Sequence, residues 1–97
     1  MHKRDVVHRD IKLENVWVDE QGGELTCKLH GFSFARMLEK SGSKINDWCG
    51  TLNYMAPEII NGMPYDSKVD IWAFGVLCYA ALVGKFPFEG SKRADII

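Results

Sequence analysis

The chain has 97 residues, and its 12 lysines and arginines against 13 aspartates and glutamates give a formal net charge of -1. Hydrophobic residues make up 46% and charged residues 26%, which is ordinary composition for a globular protein. These values exclude a low-hydrophobicity disordered tail and a basic arm that binds nucleic acid. The length allows one small domain or part of a larger one.

The first half of the chain predicts a small β-hairpin. Residues 5–8 form a short extended piece, and residues 15–18 and 25–29 are two strands. Residues 19–24 connect the strands as a loop, in which two glycines supply positive φ angles. Residues 31–55 have little periodicity, so we predict a long irregular segment, and such a segment in a compact domain is usually functional.

The second half predicts two helices. Pro57 suits the first position of a short helix, and Gly62 suits its C-terminal stop. A longer helix runs over about 67–83, with Ser67 and Asp70 at capping-box spacing. Apolar residues surround its axis, so we expect a central helix that is buried on all sides. The other predicted elements are too few to cover it, so packing partners lie outside this chain or are absent.

The cysteines and the N-terminal residues indicate a compartment. Cys27, Cys49 and Cys78 are odd in number and form no C-x-x-C pair, which argues against a disulfide framework or a zinc site. Reduced thiols are typical of an intracellular protein of the cytoplasm or nucleus. The charged N-terminus lacks an apolar signal sequence, and the longest apolar run, 71–83, is too short to cross a bilayer. We therefore expect neither a membrane nor a nucleic acid as partner.

One motif carries the chemistry. Residues 8–15, His-Arg-Asp-Ile-Lys-Leu-Glu-Asn, fit the pattern H-R-D-L-x-x-x-N with isoleucine in place of leucine. The pattern suits the transfer of a phosphoryl group to a hydroxyl. That reaction needs a carboxylate base near the hydroxyl nucleophile and an amide oxygen that reaches a metal ion. Downstream, residues 56–58 match A-P-E, and Asp-Ile-Trp-Ala-Phe-Gly follows at 70–75. Three matches in this order argue strongly against coincidence.

On these motifs the chain resembles eukaryotic serine/threonine protein kinases over nearly its whole length. Residues 49–58 look like Aurora-type kinases, and residues 33–36 and 60–65 are similar to testis-specific serine kinases. The resemblance implies a partial kinase C-lobe of α+β class, mainly α with a small β-hairpin, without the N-lobe and the last C-lobe helices. The implied layout is a partial kinase domain (1–97), a catalytic loop (8–15), an activation segment (31–58) and a central buried helix (about 67–83).

The resemblance implies four catalytic residues. Asp10 is the base that orients the substrate hydroxyl, and Lys12 contacts the transferring γ-phosphate, which favours serine or threonine over tyrosine. Asn15 ligates a magnesium ion, and Thr51 shapes the substrate pocket. The implied cofactors are Mg and ATP, and the implied partner is a protein substrate or another partner protein.

Structural roles follow from the same resemblance. His8 stacks on Phe32, and Asp70 holds the backbone of the turn at His8 and Arg9, a role compatible with a plain helix cap. Glu58 pairs in the family with an arginine that this chain does not contain. Loss of one member of a buried ion pair costs about 3–5 kcal/mol.

The chain departs from the family at the magnesium-binding motif. Residues 28–36 align with K-L-x-D-F-G-x-A-R, so D-F-G becomes Gly31-Phe32-Ser33. Gly31 has no side chain to hold magnesium, and the neutral imidazole of His30 is a poor ligand for this hard cation. The phosphate-covering lobe is also missing from the chain and would have to be supplied elsewhere. We therefore predict poor binding of Mg and ATP by this chain.

Asp47 stands where the family often has an activating phosphothreonine, two residues before the cysteine of C-G-T. Arg9 and Arg36 occupy the positions that grip such a phosphate. Our hypothesis is that Asp47 is a built-in mimic, although its charge of -1 is weaker than the phosphate charge of about -1.5 to -2. The alternative is a solvated loop aspartate.

Three functions stay open. The first is a segment of a serine/threonine kinase domain, whose family reaction transfers the ATP γ-phosphate to protein serine or threonine. The second is a pseudokinase-type protein-binding module, and the third is a truncated kinase remnant without function. We predict that the isolated chain is catalytically incompetent, because it lacks the ATP-binding lobe and carries Gly31.

Overall fold

The computed structural model describes residues 2–38 and 43–88. Within these two ranges, four strands and two α-helices follow one another in the order β1 (Val6–Val7), β2 (Val16–Gln21), β3 (Glu24–Leu29), β4 (Arg36–Met37), α1 (Pro57–Ile60) and α2 (Lys68–Val83). Within these residues, helices and small antiparallel sheets both contribute, in agreement with the expected α+β class. Part of the predicted activation segment, residues 39–42, and the end of the predicted domain, residues 89–97, lie outside the described residues.

The predicted β-hairpin is confirmed, with longer strands and a tighter turn. β2 and β3 pair antiparallel from Val16 opposite Leu29 to Gln21 opposite Glu24. The turn consists of Gly22 and Gly23 alone, whose φ angles of 60° and 85° suit a two-residue hairpin connection. The expected loop over 19–24 is therefore too long, because the polar residues at both of its ends continue the ladder.

A second two-stranded sheet joins the predicted extended piece at residues 5–8 to the segment that the sequence predicts to be irregular. β1 and β4 are antiparallel, with Val6 opposite Met37 and Val7 opposite Arg36. A strand of two residues has no periodicity that a sequence pattern reveals. The pairing brings Arg36 next to the loop that begins after Val7.

The core lies between the irregular segment and the two helices. Ile45 and Tyr65 exchange backbone hydrogen bonds of 2.7 and 2.9 Å, which hold the segment against the start of α2. The main cluster of buried residues consists of Val7, Ile45, Met55, Ala56, Ile59, Ile60, Tyr65 and Val69. A second cluster under the catalytic loop consists of Ile11, Tyr54, Ala73 and Val76.

The side-chain cap at the start of α2 comes from Asp66 and not from the predicted pair of Ser67 and Asp70. Ser67 has helical dihedral angles and makes no side-chain cap hydrogen bond. The Asp66 carboxylate accepts the backbone N–H of Lys68 at 3.0 Å instead. Asp66 therefore satisfies one of the free amides at the helix start, as a capping carboxylate does.

Only one face of α2 is buried within the described residues. Val69, Ala73, Val76 and Ala80 line the inner face, whereas Ile71, Phe74 and Leu82 are exposed, so burial on all sides is not observed. Over residues 2–38 and 43–88, no helix combines the length and the apolar character needed to cross a membrane.

Candidate active site

The four predicted catalytic side chains lie together. Thr51 Oγ1 donates to Asp10 Oδ1 at 2.8 Å and accepts from Lys12 Nζ at 3.1 Å. Asn15 Nδ2 donates to the Asp10 carbonyl oxygen at 2.8 Å and to Asp10 Oδ2 at 3.4 Å. The Lys12 ammonium is 3.8 Å from Asp10 Oδ2. The Asp10 side chain is 11% exposed, so this carboxylate is both oriented by neighbours and reachable, as a general base must be.

A strained turn supported by Asp70 positions Asp10. Arg9 has a φ of 71°, which is uncommon for a residue with a side chain. Asp70, only 2% exposed, accepts the backbone N–H groups of His8 at 2.8 Å and of Arg9 at 2.9 Å. The carboxylate therefore binds the turn that precedes Asp10, and its place in the first turn of α2 fixes the loop to the helix.

His8 joins the catalytic loop to the altered motif. Its Nδ1 accepts the Asp10 backbone N–H at 3.0 Å, so Nε2 carries the proton and donates to the His30 carbonyl at 2.8 Å. The His8 and Phe32 rings are in contact, with centroids 4.8 Å apart, but they meet edge to face and are not stacked as expected. The His30 ring stacks on Trp17 at 3.9 Å, a pair that the sequence did not predict.

The residues present do not fit a magnesium site of the family type. Position 31 offers no carboxylate, so among the residues of the motif only the Asn15 Oδ1 atom remains as an oxygen ligand, while Asn15 Nδ2 donates to Asp10. The His30 ring does not replace this carboxylate, because it stacks on the Trp17 ring and a neutral imidazole is a poor ligand for magnesium. Within residues 2–38 and 43–88, no three histidine, cysteine, aspartate or glutamate side chains gather as a metal-binding group.

A second polar cluster lies on the other side of Arg9. Asp47 Oδ2 is 2.8 Å from Arg36 Nη1 and 3.4 Å from Arg9 Nη1. The Asp47 side chain is 60% exposed and that of Arg9 only 9%. The Tyr65 hydroxyl donates to the Asp47 carbonyl at 2.6 Å and accepts from Arg9 at 3.2 Å. The cluster fastens the segment around Asp47 to the catalytic loop and to β4.

Burial and neighbouring groups shift the pKa values of Arg9 and Tyr65 in opposite directions. Burial by itself lowers the pKa of Arg9, but the hydrogen bond to Tyr65 and the neighbouring acidic groups raise it above its ordinary value. Burial raises the pKa of the Tyr65 hydroxyl, against the opposing effect of Arg9. Arg9 is therefore a fixed positive charge and Tyr65 a neutral hydroxyl over the physiological range.

Two further residues differ from expectation or were missed. Glu58 is half-buried in α1, and no buried side-chain nitrogen or oxygen in the described part of the chain lacks a hydrogen-bond partner. The penalty expected for a buried, unpaired Glu58 therefore does not arise there. Tyr54, which no motif singled out, accepts the Leu13 backbone N–H at 3.3 Å, and burial raises its pKa.

Comparison with known proteins finds relatives that match almost the whole of this chain. A family profile described as "Protein kinase domain" matches residues 1–97. Aurora/IPL1-related protein kinase 2 of Caenorhabditis briggsae is 45% identical over 94 residues, which are 97% of this chain and 30% of that protein. Serine/threonine-protein kinase zyg-8 of Caenorhabditis elegans is 47% identical over 96 residues, 98% of this chain and 12% of that protein. Aurora kinase of Eremothecium gossypii is 47% identical over 93 residues, 96% of this chain and 24% of that protein.

The chain belongs to the protein kinase domain family. The predicted resemblance to eukaryotic serine/threonine kinases, Aurora kinases among them, is confirmed by these matches. The chain spans less than a third of the length of these relatives.

Proposed function

We propose that this chain is the catalytic-loop and activation-segment part of a serine/threonine kinase domain, and that it transfers no phosphate by itself. The observation that carries the proposal is the network in which Thr51 links the Asp10 carboxylate to the Lys12 ammonium. The same site offers no carboxylate at Gly31. The site thus keeps the side chains that would bind a substrate hydroxyl. It lacks the carboxylate that would bind the magnesium ion of Mg-ATP.

In this proposal each side chain has one role. Asp10 accepts the hydrogen bond of a protein serine or threonine hydroxyl and orients its oxygen for attack. Thr51 holds one oxygen of that carboxylate, and Lys12 brings positive charge to the place where a phosphoryl group would accumulate negative charge. Magnesium and ATP are cofactors of the family reaction. An intracellular location agrees with Cys27, Cys49 and Cys78, all of which are free thiols.

Phosphate transfer tests the proposal. The 97-residue chain and the native-length polypeptide that carries it are incubated with labelled Mg-ATP and a general protein substrate. We expect no transfer by the chain above the level of Asp10→Asn. Transfer by the chain that Asp10→Asn abolishes would overturn its predicted incompetence. Transfer by the native-length protein that Asp10→Asn abolishes would support the assignment to a kinase domain.

A protein-binding module of pseudokinase type is the second candidate. Gly31 favours it, as does the lack of a metal-binding side-chain group within residues 2–38 and 43–88. The segment from Thr51 to Glu58 also packs against the catalytic loop and α2. Absence of Mg-ATP binding by the native-length protein, together with cooperative folding, would favour this candidate over the first. Absence of folding would favour a remnant without function.

We further propose that Asp47 takes the place of an activating phosphate. The carboxylate contacts Arg36 and Arg9, the two arginines that the resemblance assigns to phosphate binding. Tyr65 fixes the Asp47 backbone in the same place. A solvated loop aspartate, the alternative, would leave the segment's order unchanged when its charge is removed.

A further inference from the structure

A close approach joins the altered motif to the catalytic loop. Gly31 has a φ of 76°, in the left-handed region. A Cβ atom placed on Gly31 would overlap the Asn15 side chain, and the three atoms nearest to it are Asn15 Cγ, Oδ1 and Nδ2. The Asn15 amide thus occupies the space that any side chain at position 31 would enter.

Asn15 is held in this space from two sides. Its Nδ2 donates to the Asp10 carbonyl oxygen at 2.8 Å and to Asp10 Oδ2 at 3.4 Å. Its backbone carbonyl accepts the N–H of His30 at 2.7 Å, and its own N–H donates to the Lys12 carbonyl at 3.0 Å. The residue before Gly31 is therefore fastened to the backbone of Asn15, so neither partner can move away freely.

The Asp10 carboxylate has donors on both of its oxygens. Thr51 supplies a hydroxyl to Oδ1 at 2.8 Å, and Asn15 an amide to Oδ2 at 3.4 Å. Lys12 adds a positive charge at 3.8 Å from Oδ2. Donors of this kind satisfy a partly buried carboxylate without a divalent cation.

We propose that Gly31 is a packing requirement of this site as well as a lost ligand. Its missing side chain admits the Asn15 amide, and the amide completes the side-chain hydrogen bonds that orient the Asp10 carboxylate without a cation. The inference concerns the site of the proposed function but does not depend on phosphate transfer. It predicts that a side chain at position 31 displaces Asn15 instead of simply adding a group.

A double-mutant cycle on unfolding in the native-length protein tests the packing requirement. Gly62 is the matched control, since its φ of 69° is similar and a Cβ there meets nothing within 4 Å. Gly62→Ala reports the backbone strain alone, about a five-fold loss in the ratio of folded to unfolded protein. We expect Gly31→Ala to lower the same ratio further, by at least another factor of about five beyond the loss caused by Gly62→Ala.

Removal of the Asn15 amide should relieve the additional loss. In the background of Asn15→Ala, we expect Gly31→Ala to lower the ratio no more than Gly62→Ala does. Equal losses for Gly31→Ala and Gly62→Ala in the wild-type background would overturn the inference, as would an undiminished loss in the Asn15→Ala background. If Gly31→Ala does not fold, folding of the double variant supports the inference and its failure to fold contradicts it.

Magnesium provides the second readout. We expect the melting temperature of the wild-type protein, measured without nucleotide, to be unchanged by added magnesium chloride. A rise in melting temperature that Asn15→Ala abolishes would show a cation on the Asn15 amide and overturn the inference that side chains alone orient Asp10. Neither measurement uses phosphate transfer, so failure of this inference is distinguishable from failure of the proposed function.

Discussion

The two faces of helix α2 carry similar apolar side chains and meet different surroundings. Val76 on the inner face is buried in the cluster that includes Ile11 of the catalytic loop, whereas Leu82 on the outer face is 88% exposed. The charged Asp70 is nevertheless among the most buried residues of the helix, because it binds two backbone N–H groups of the loop. Contacts between segments therefore decide which side chains are buried, and apolar character alone does not.

This difference separates two kinds of stabilisation. The inner face joins the catalytic loop, the segment around Thr51 and α2 by hydrogen bonds and packing that residues of this chain complete themselves. The outer face contributes apolar surface that no described residue covers. Substitutions on the two faces should therefore have unequal effects.

The largest effect is expected for Asp70→Ala. It leaves the buried N–H of His8 and the partly buried N–H of Arg9 without an acceptor. A fully buried group of this kind costs about 1–3 kcal/mol, and a partly buried one costs less. We therefore expect the free energy of unfolding to fall by roughly 2–5 kcal/mol in urea titrations. Asp70→Asn keeps one acceptor oxygen and should lose about half as much. A loss below about 1 kcal/mol for Asp70→Ala would contradict the role of this carboxylate.

Val76→Ala and Leu82→Ala compare the two faces directly in the 97-residue chain. Val76→Ala removes buried methyl groups and leaves a small cavity, so we expect a loss of about 2 kcal/mol in the free energy of unfolding. Leu82→Ala removes exposed atoms and should change it by less than about 0.5 kcal/mol. Equal losses in urea titrations would show that the outer face is also covered, for example by self-association.

Asp47 and Asp70 bind the same arginine in opposite environments. Asp70, itself buried, holds the backbone N–H of Arg9, whereas Asp47 contacts its guanidinium group from an exposed position. Exposed ion pairs contribute about 0.2–1 kcal/mol each and weaken in salt. We expect Asp47→Ala to lower the free energy of unfolding by about 1 kcal/mol at low salt and by less at high salt.

Limited proteolysis checks whether that loss concerns the order of the segment. Asp47→Ala in the native-length protein should be cut faster around this residue than the wild type. Asp47→Glu keeps the charge and serves as the control. Unchanged cutting of Asp47→Ala would remove the support for Asp47 as a substitute for phosphate.

Motif spacing predicted the grouping of the site better than it predicted the contacts that build it. Asp10, Lys12 and Asn15 share one short loop, so their proximity follows from the sequence pattern. The pairing of β1 with β4 joins two-residue strands from distant parts of the chain, which leave no periodic trace. The overlap between the Asn15 amide and a side chain at Gly31 also depends on backbone geometry that no residue pattern reveals.

The start of α2 shows the same limit on a smaller scale. Ser67 and Asp70 have the spacing of a capping box, yet Asp70 is drawn to the catalytic loop by two N–H groups. Asp66 supplies the side-chain hydrogen bond at the helix start, because its carboxylate reaches the Lys68 N–H. Asp70 could bind either the nearby helix start or the distant catalytic loop. The folded position of that loop decides between them, and the sequence around Asp70 does not contain this information.

The smallest expected effect is the acid dependence that Asp66 contributes. The Lys68 N–H, chiefly, and the Lys44 ammonium at 3.2 Å lower the pKa of this carboxyl below its usual 3.8, against the opposing effect of burial. Because the folded-state pKa lies below the unfolded one, the contribution is complete above pH about 3.8 and disappears as the pH falls through the folded value.

Asp66→Asn keeps an acceptor for the Lys68 N–H but cannot titrate. On acidification below pH about 3.8, the wild type should therefore lose up to about 0.5 kcal/mol more of its unfolding free energy than Asp66→Asn does. Urea titrations of both proteins at a series of acidic pH values measure the difference. Asp66→Ala, which removes the acceptor as well, should be less stable than Asp66→Asn at every pH. Parallel pH profiles for the wild type and Asp66→Asn would mean that the carboxylate charge contributes nothing at this helix start.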